Sequence, residues 1–133
     1  MSRDRSPSNW DIHNRVIEKV KNWLKSKNPE CYVVTNPGQE KNLGVKRDNR
    51  LVYPDVLYGP DENTITRLYE VETEDSVNEE EVEQWREFNA GPSSFYLVVP
   101  ENYVEAARRL IRNAGFSIDG FYYYDSNLNI HSA

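Results

Sequence analysis

The run Phe95-Tyr96-Leu97-Val98-Val99 restricts the fold of this chain more than any other stretch. A strand with one face in water alternates apolar and polar residues. An unbroken apolar run needs cover on both faces, as in a parallel or mixed sheet whose crossover connections are helical. The flanking sequence supplies that cover. Upstream, Asn78 reads as an N-cap with Glu81 at N3, and Val77 is a staple residue against Val82. Val82, Trp85 and Phe88 or Asn89 then give a short amphipathic helix to Ala90, closed by Gly91-Pro92. Glu79, Glu80, Glu81 and Glu83 fall to the cap and the solvent face. Downstream, Pro100 opens a helix with Tyr103, Val104, Ala107, Leu110, Ile111 and Ala114 on one face, and Gly115 closes it.

The rest of the chain extends this core. Ile12, Val16, Val20 and Trp23-Leu24 recur at helical spacing, which predicts a first helix from about Trp10 to Ser26, stopping before Pro29. Cys31 to Thr35 is a short strand. A polar segment from Asn36 to Asn49 follows, read either as a flap over a site or as an ornament. Arg50–Tyr58 and Ile65–Thr73 form the arms of a hairpin around the turn residues Gly59 to Asn63. Phe116–Ile118 and Phe121–Tyr124, with Asp119-Gly120 between them, make a last strand or hairpin. The expected fold is an α/β domain with a mixed central sheet flanked by helices. An α-β-β-β-α-β core carries a C-terminal helix and strand. Residues 1–133 form one domain, with flexible tails at 1–8 and 126–133.

Composition narrows the function classes. The chain carries 16 Lys and Arg against 22 Asp and Glu, a net charge of −6. That weighs against tight nonspecific nucleic-acid binding through phosphates, although a cation bound among carboxylates inverts the local field. A single cysteine, Cys31, excludes an internal disulfide and a Cys-rich zinc site. No run approaches the roughly 18 apolar residues of a membrane span, and no signal-peptide pattern opens the chain, so a cytoplasmic location is expected. There is no phosphate-cradling Gly loop, no G-x-S-x-G and no metal-spaced His pair.

Chemistry concentrates in the hairpin. Asp55 lies on one arm, and Glu70 and Glu72 lie on the other with their side chains on the same face. Carboxylates are depleted in strands, and three together repel unless a cation or water lies between them. Hard oxygens from two adjacent strands can hold Mg²⁺ or Mn²⁺, leaving places for water and a phosphate oxygen. Such a metal activates water and stabilises phosphate charge.

Three features together resemble the PD-(D/E)xK nuclease superfamily, which has the restriction-endonuclease-like fold. They are Pro54-Asp55 in the second strand of the core, Glu70-Val71-Glu72 in the third, and the α-β-β-β-α-β order around them. The resemblance covers about Ser8 to Val99. It implies a metal-dependent nuclease acting on DNA or RNA, with Asp55 and Glu70 at the metal and Gln84 as the glutamine common in the following helix. It also implies a first-helix acid completing the site. Glu18 is the nearest candidate, and His13 or Asn14 are alternatives for that position. The family's lysine is replaced here by Glu72. Lys46 or Arg86 can substitute for it, or Glu72 can serve as an additional metal ligand or base. The alternative function is a catalytically degenerate domain that binds nucleic acid or a protein, and a third reading is an unrelated α/β domain with surface carboxylates. Many members of the superfamily are dimers, but no exposed apolar stripe demands a homodimer here.

Overall fold

The computed structural model describes residues 5–133. Its strands are β1 (Tyr32–Thr35), β2 (Val45–Arg47), β3 (Arg50–Val52), β4 (Val56–Gly59), β5 (Arg67–Val71), β6 (Ser94–Pro100), β7 (Gly120–Tyr124) and β8 (Ile130–Ser132). Its helices are α1 (Pro7–Lys27), α2 (Val82–Asn89) and α3 (Val104–Ala114). Six strands form one sheet in the order β1-β4-β5-β6-β7-β8, and β2 and β3 form a separate hairpin. The apolar run lies in β6, which pairs in parallel with both β5 and β7. The remaining pairs of the large sheet are antiparallel, so the sheet is mixed.

Each face of the sheet has its own core. Val16, Ile17, Val20 and Leu24 of α1 pack on Val56, Tyr69, Val71, Val98 and Tyr124. On the other face Val82, Trp85 and Phe88 of α2, with Ala107 and Ile111 of α3, pack on Leu57, Leu68, Phe95, Leu97 and Val99. Alternate residues of β6 thus enter opposite cores, which explains why all of them are apolar. Each large side chain buried in this way contributes about 1.5–3 kcal/mol. Gly115 ends α3 at φ +84, where its N–H reaches Arg112 and Ile111 carbonyls. That left-handed position favours glycine. Among the described residues no helix is long and apolar enough to cross a membrane.

Four expectations are corrected. First, α1 begins at Pro7, because Ser6 Oγ accepts the Asn9 N–H at 3.2 Å and caps it. Arg5 is buried, so residues 5–8 are not a tail, and residues 1–4 lie outside the description. Second, 126–133 contains β8, which pairs with β7. That leaves Phe116–Ile118 out of the sheet. Third, the arm Arg50–Tyr58 is not one strand. Pro54 has no N–H to give a ladder, and the buried Asn36 seizes the bend around it. Asn36 Nδ2 donates to the Pro54 carbonyl at 2.7 Å, and the Asn36 N–H donates to the Asp55 carbonyl at 2.9 Å. Asp55 therefore sits just before β4 rather than within a strand.

The fourth concerns the polar segment, which is not an ornament: residues 38–41 and 46–48 line the cleft that holds Asp55 and Glu70, where a flap over a site would lie. It carries the β2–β3 hairpin, and Arg47 fastens this to the end of α2. Arg47 Nε donates to the Glu87 carbonyl at 2.9 Å and Nη2 to the Phe88 carbonyl at 3.0 Å. A cation suits the C-terminal end of a helix dipole. Arg50 adds an ion pair with Glu87. Arg47→Ala is expected to cost about 1–3 kcal/mol in urea denaturation, the range for hydrogen bonds from a charged group. Amide exchange across Val45–Val52 should rise as the hairpin loosens. Unchanged exchange there would show that other contacts hold it.

Candidate functional site

The C-terminal end of β5, the bend before β4, the start of α1 and the β2–β3 hairpin enclose a cleft of about 930 Å³. Asp55, Glu70, Gln84, His13, Arg5 and Lys46 are among the residues that line it. Both signs of charge face it, so it is not a uniformly acidic or basic patch.

Asp55 and Glu70 meet because β4 and β5 are antiparallel with Val56 opposite Tyr69. The next pair outward brings Asp55 beside Glu70, and the Asp55 N–H donates to Glu70 Oε1 at 3.0 Å. Asp55 Oδ2 accepts the Val71 N–H at 2.8 Å and lies 3.1 Å from His13 Nε2. Both acids are largely buried, at 7% and 3% exposure. His13 reaches them from α1, and its Nδ1 lies 3.1 Å from Asn14 Oδ1. Asn14 Oδ1 also accepts the Gly38 N–H at 2.8 Å, which ties α1 to the loop above the cleft.

Glu72 goes elsewhere. It follows β5 on the α2 side, fully buried. Its Oε1 accepts from Ser76 Oγ at 2.7 Å and Arg5 Nη2 at 3.2 Å, and its Oε2 accepts from Trp85 Nε1 at 2.6 Å. Tyr124 donates its hydroxyl to the Glu72 carbonyl at 2.8 Å. Burial, followed by the Glu72 charge, pushes the Tyr124 phenol well above its ordinary pKa. Arg5 also donates to Thr73 Oγ1 at 3.0 Å and to the Val71 carbonyl at 3.3 Å. Nearby, burial pushes the Asp75 carboxyl up, but hydrogen bonds from Thr73 and Asn9, with Arg5 close by, outweigh it and hold the group below its usual range.

The structure therefore brings together Asp55, Glu70 and Gln84, and adds His13 and Arg5. It does not bring Glu72 to the cleft surface, so Glu72 is not placed as a metal ligand or base. Nor does it bring Glu18, which is exposed on α1 and absent from the cleft lining. Glu18 is about 140° around the helix from His13, at about 100° per residue. Of the two expected lysine substitutes, Lys46 is exposed on β2 in the cleft wall. Arg86 also borders the cleft, but its Nη2 donates to the Ala114 carbonyl at 3.1 Å and its guanidinium lies over Phe116. It is committed to the end of α3.

A divalent cation fits the donor chemistry in one form only. Mg²⁺ is ordinarily held by one or two carboxylates and keeps several waters, and Asp55 and Glu70 supply such a pair. Among the described residues no group of three His, Cys, Asp or Glu surrounds a common metal position. A site here would depend on water and substrate oxygens for its remaining ligands. Comparison with protein-family models, curated proteins and solved structures gives no match.

Proposed function

We propose that the protein is a nuclease-like hydrolase of restriction-endonuclease-like architecture, acting with Mg²⁺ or Mn²⁺ on phosphodiesters of DNA or RNA. The observation that carries this reading is the meeting of Asp55 and Glu70 in a cleft of about 930 Å³. The element order supports it: with the β2–β3 hairpin set aside, the chain runs α1-β1-β4-β5-α2-β6. Asp55 precedes β4, Glu70 lies in β5 and Gln84 on α2 faces the same cleft.

Asp55 and Glu70 would hold the cation. When bound it would supply a polarised water and positive charge at the phosphate. The chain does the rest. The Val71 N–H and His13 fix the rotamer of Asp55, and the Asp55 N–H fixes Glu70. Lys46 offers a mobile ammonium to phosphates entering from the hairpin side. A second reading, a nucleic-acid-binding module without cleavage, is favoured by the inward turn of Glu72, which leaves no lysine at the end of β5.

The test is incubation with supercoiled plasmid, linear duplex, single-stranded DNA and RNA in Mg²⁺ or Mn²⁺. Cleavage of at least one substrate is expected, abolished by EDTA and lowered more than about 100-fold by Glu70→Gln. Binding without cleavage supports the second reading, and neither binding nor cleavage removes both.

A further inference from the structure

Arg5 borders the cleft yet takes no part in holding a cation. Its side chain is only 2% exposed. Nε and Nη2 are committed to Thr73, Val71, Glu72 and Ser76, while Nη1 makes no hydrogen bond among the described residues. Nη1 is not among the buried side-chain atoms that lack a partner, so it keeps some contact with solvent, and the guanidinium is locked on one edge and open on the other. The lock is elaborate: Ser76 and Trp85 pin the Glu72 carboxylate, which in turn holds Arg5. The Trp10 ring lies 4.9 Å from the guanidinium. A buried ion pair contributes little net stability over an apolar pair of the same volume. What it does provide is a cation of fixed direction.

That direction relates to the carboxylates through one residue. The Val71 carbonyl accepts from Arg5, and the Val71 N–H donates to Asp55 Oδ2. Arg5 and Asp55 are thus held on either side of the same stretch of backbone, both facing the cleft.

We propose that Arg5 is a phosphate-binding residue of the cleft and that Glu72 positions it. The open Nη1 edge takes a nonbridging oxygen of the phosphodiester presented to Asp55 and Glu70. This rests on the reading that the cleft takes a phosphodiester chain, and it deepens that reading. It also gives Glu72 a function that neither metal binding nor base catalysis provides: an anion in the core that aims a cation at the substrate.

The test is fluorescence anisotropy with fluorescein-labelled single-stranded DNA, duplex DNA and RNA. It is run in Ca²⁺ and without divalent cation, over a series of NaCl concentrations. Arg5→Gln is expected to weaken binding about tenfold and to reduce the slope of log affinity against log salt by about one contact. Arg5→Lys keeps the charge but loses the fork, so binding should fall severalfold with the slope unchanged. It decides the matter if Arg5→Gln loses its cooperative unfolding transition. Glu72→Gln, measured at a temperature where it stays folded, should weaken binding with the slope retained. A purely structural Glu72 would lower the melting temperature and leave affinity alone. If the unaltered protein binds none of the probes, the phosphodiester reading fails and this role fails with it. If it binds but the Arg5 variants bind equally well with the same slope, the role of Arg5 alone is overturned.

Discussion

Glu72→Lys should give a protein with no cooperative unfolding transition, and Glu72→Ala one destabilised by about 3–5 kcal/mol, the cost of leaving a buried charge without its partner. Both ends of the pair are out of water, with side-chain exposures of 2% for Arg5 and 0% for Glu72. Removing Glu72 takes from Arg5 its anionic partner in this pair, from Trp85 Nε1 its acceptor and from Ser76 Oγ its shorter acceptor contact. A lysine adds a second cation among the same donors, so it cannot be accommodated as the glutamate is. Urea denaturation followed by tryptophan fluorescence gives the measurement, with Trp85 in contact with the altered position. The double variant Arg5→Met, Glu72→Leu removes both charges and should recover most of the loss, because apolar replacement of a whole buried pair is close to neutral. A single Glu72→Ala protein within about 1 kcal/mol of the original would mean that the pair does not hold the end of β5.

The reach of each interaction along the chain decides what the sequence discloses. The apolar run of β6 and the glycine after α3 are local signals, and they predict the covered parallel strand and the end of that helix. The expected helix starts shift, because Asn78 caps a short 3-10 turn at Glu79–Glu81 ahead of α2 and Pro100 precedes another at Glu101–Tyr103 ahead of α3. Asp55 and Glu70 are legible because their placement is equally local: one antiparallel pairing, β4 with β5, sets Glu70 in its strand opposite Asp55 at the approach to β4. The break before β4 depends on Asn36, 18 residues from Pro54, and Asn36 looked like an ordinary turn residue. The role of His13 depends on a partner 42 residues away, and that of Arg5 on one 68 residues away. An arginine ahead of a helix cap carries no local sign of burial. Glu72 is legible in the sequence as a strand-end acid two residues after Glu70. Its inward turn follows from Trp85 and Arg5, which only the packed structure joins to it. Glu18 failed as a candidate on simple helical geometry, for it lies on the polar stripe that the apolar spacing of α1 already marked.

Asp55→Asn should separate the chemistry of the cleft from its architecture. The carboxamide has the shape of the carboxylate, and its oxygen can still accept the Val71 N–H, which is now bonded at 2.8 Å. The His13 interaction at 3.1 Å loses an anionic acceptor but not a polar neighbour. A stability loss of about 1–2 kcal/mol is expected, within the range for one weakened hydrogen bond to a charged group. Cleavage should fall more than about 1,000-fold, because a neutral amide is a poor ligand for a hard divalent cation. Asp55→Ala differs in kind: it leaves the Val71 N–H and His13 Nε2 without their acceptor, at about 1–3 kcal/mol for each stranded group. Thermal melts of the two variants, read beside plasmid cleavage in Mn²⁺, distinguish the cases. If Asp55→Asn keeps full cleavage, Asp55 serves the fold and not the cation, and the carboxylate pair is structural. If it melts like the original protein and does not cut, the same side chain holds β5 with one oxygen and depends on its charge for chemistry.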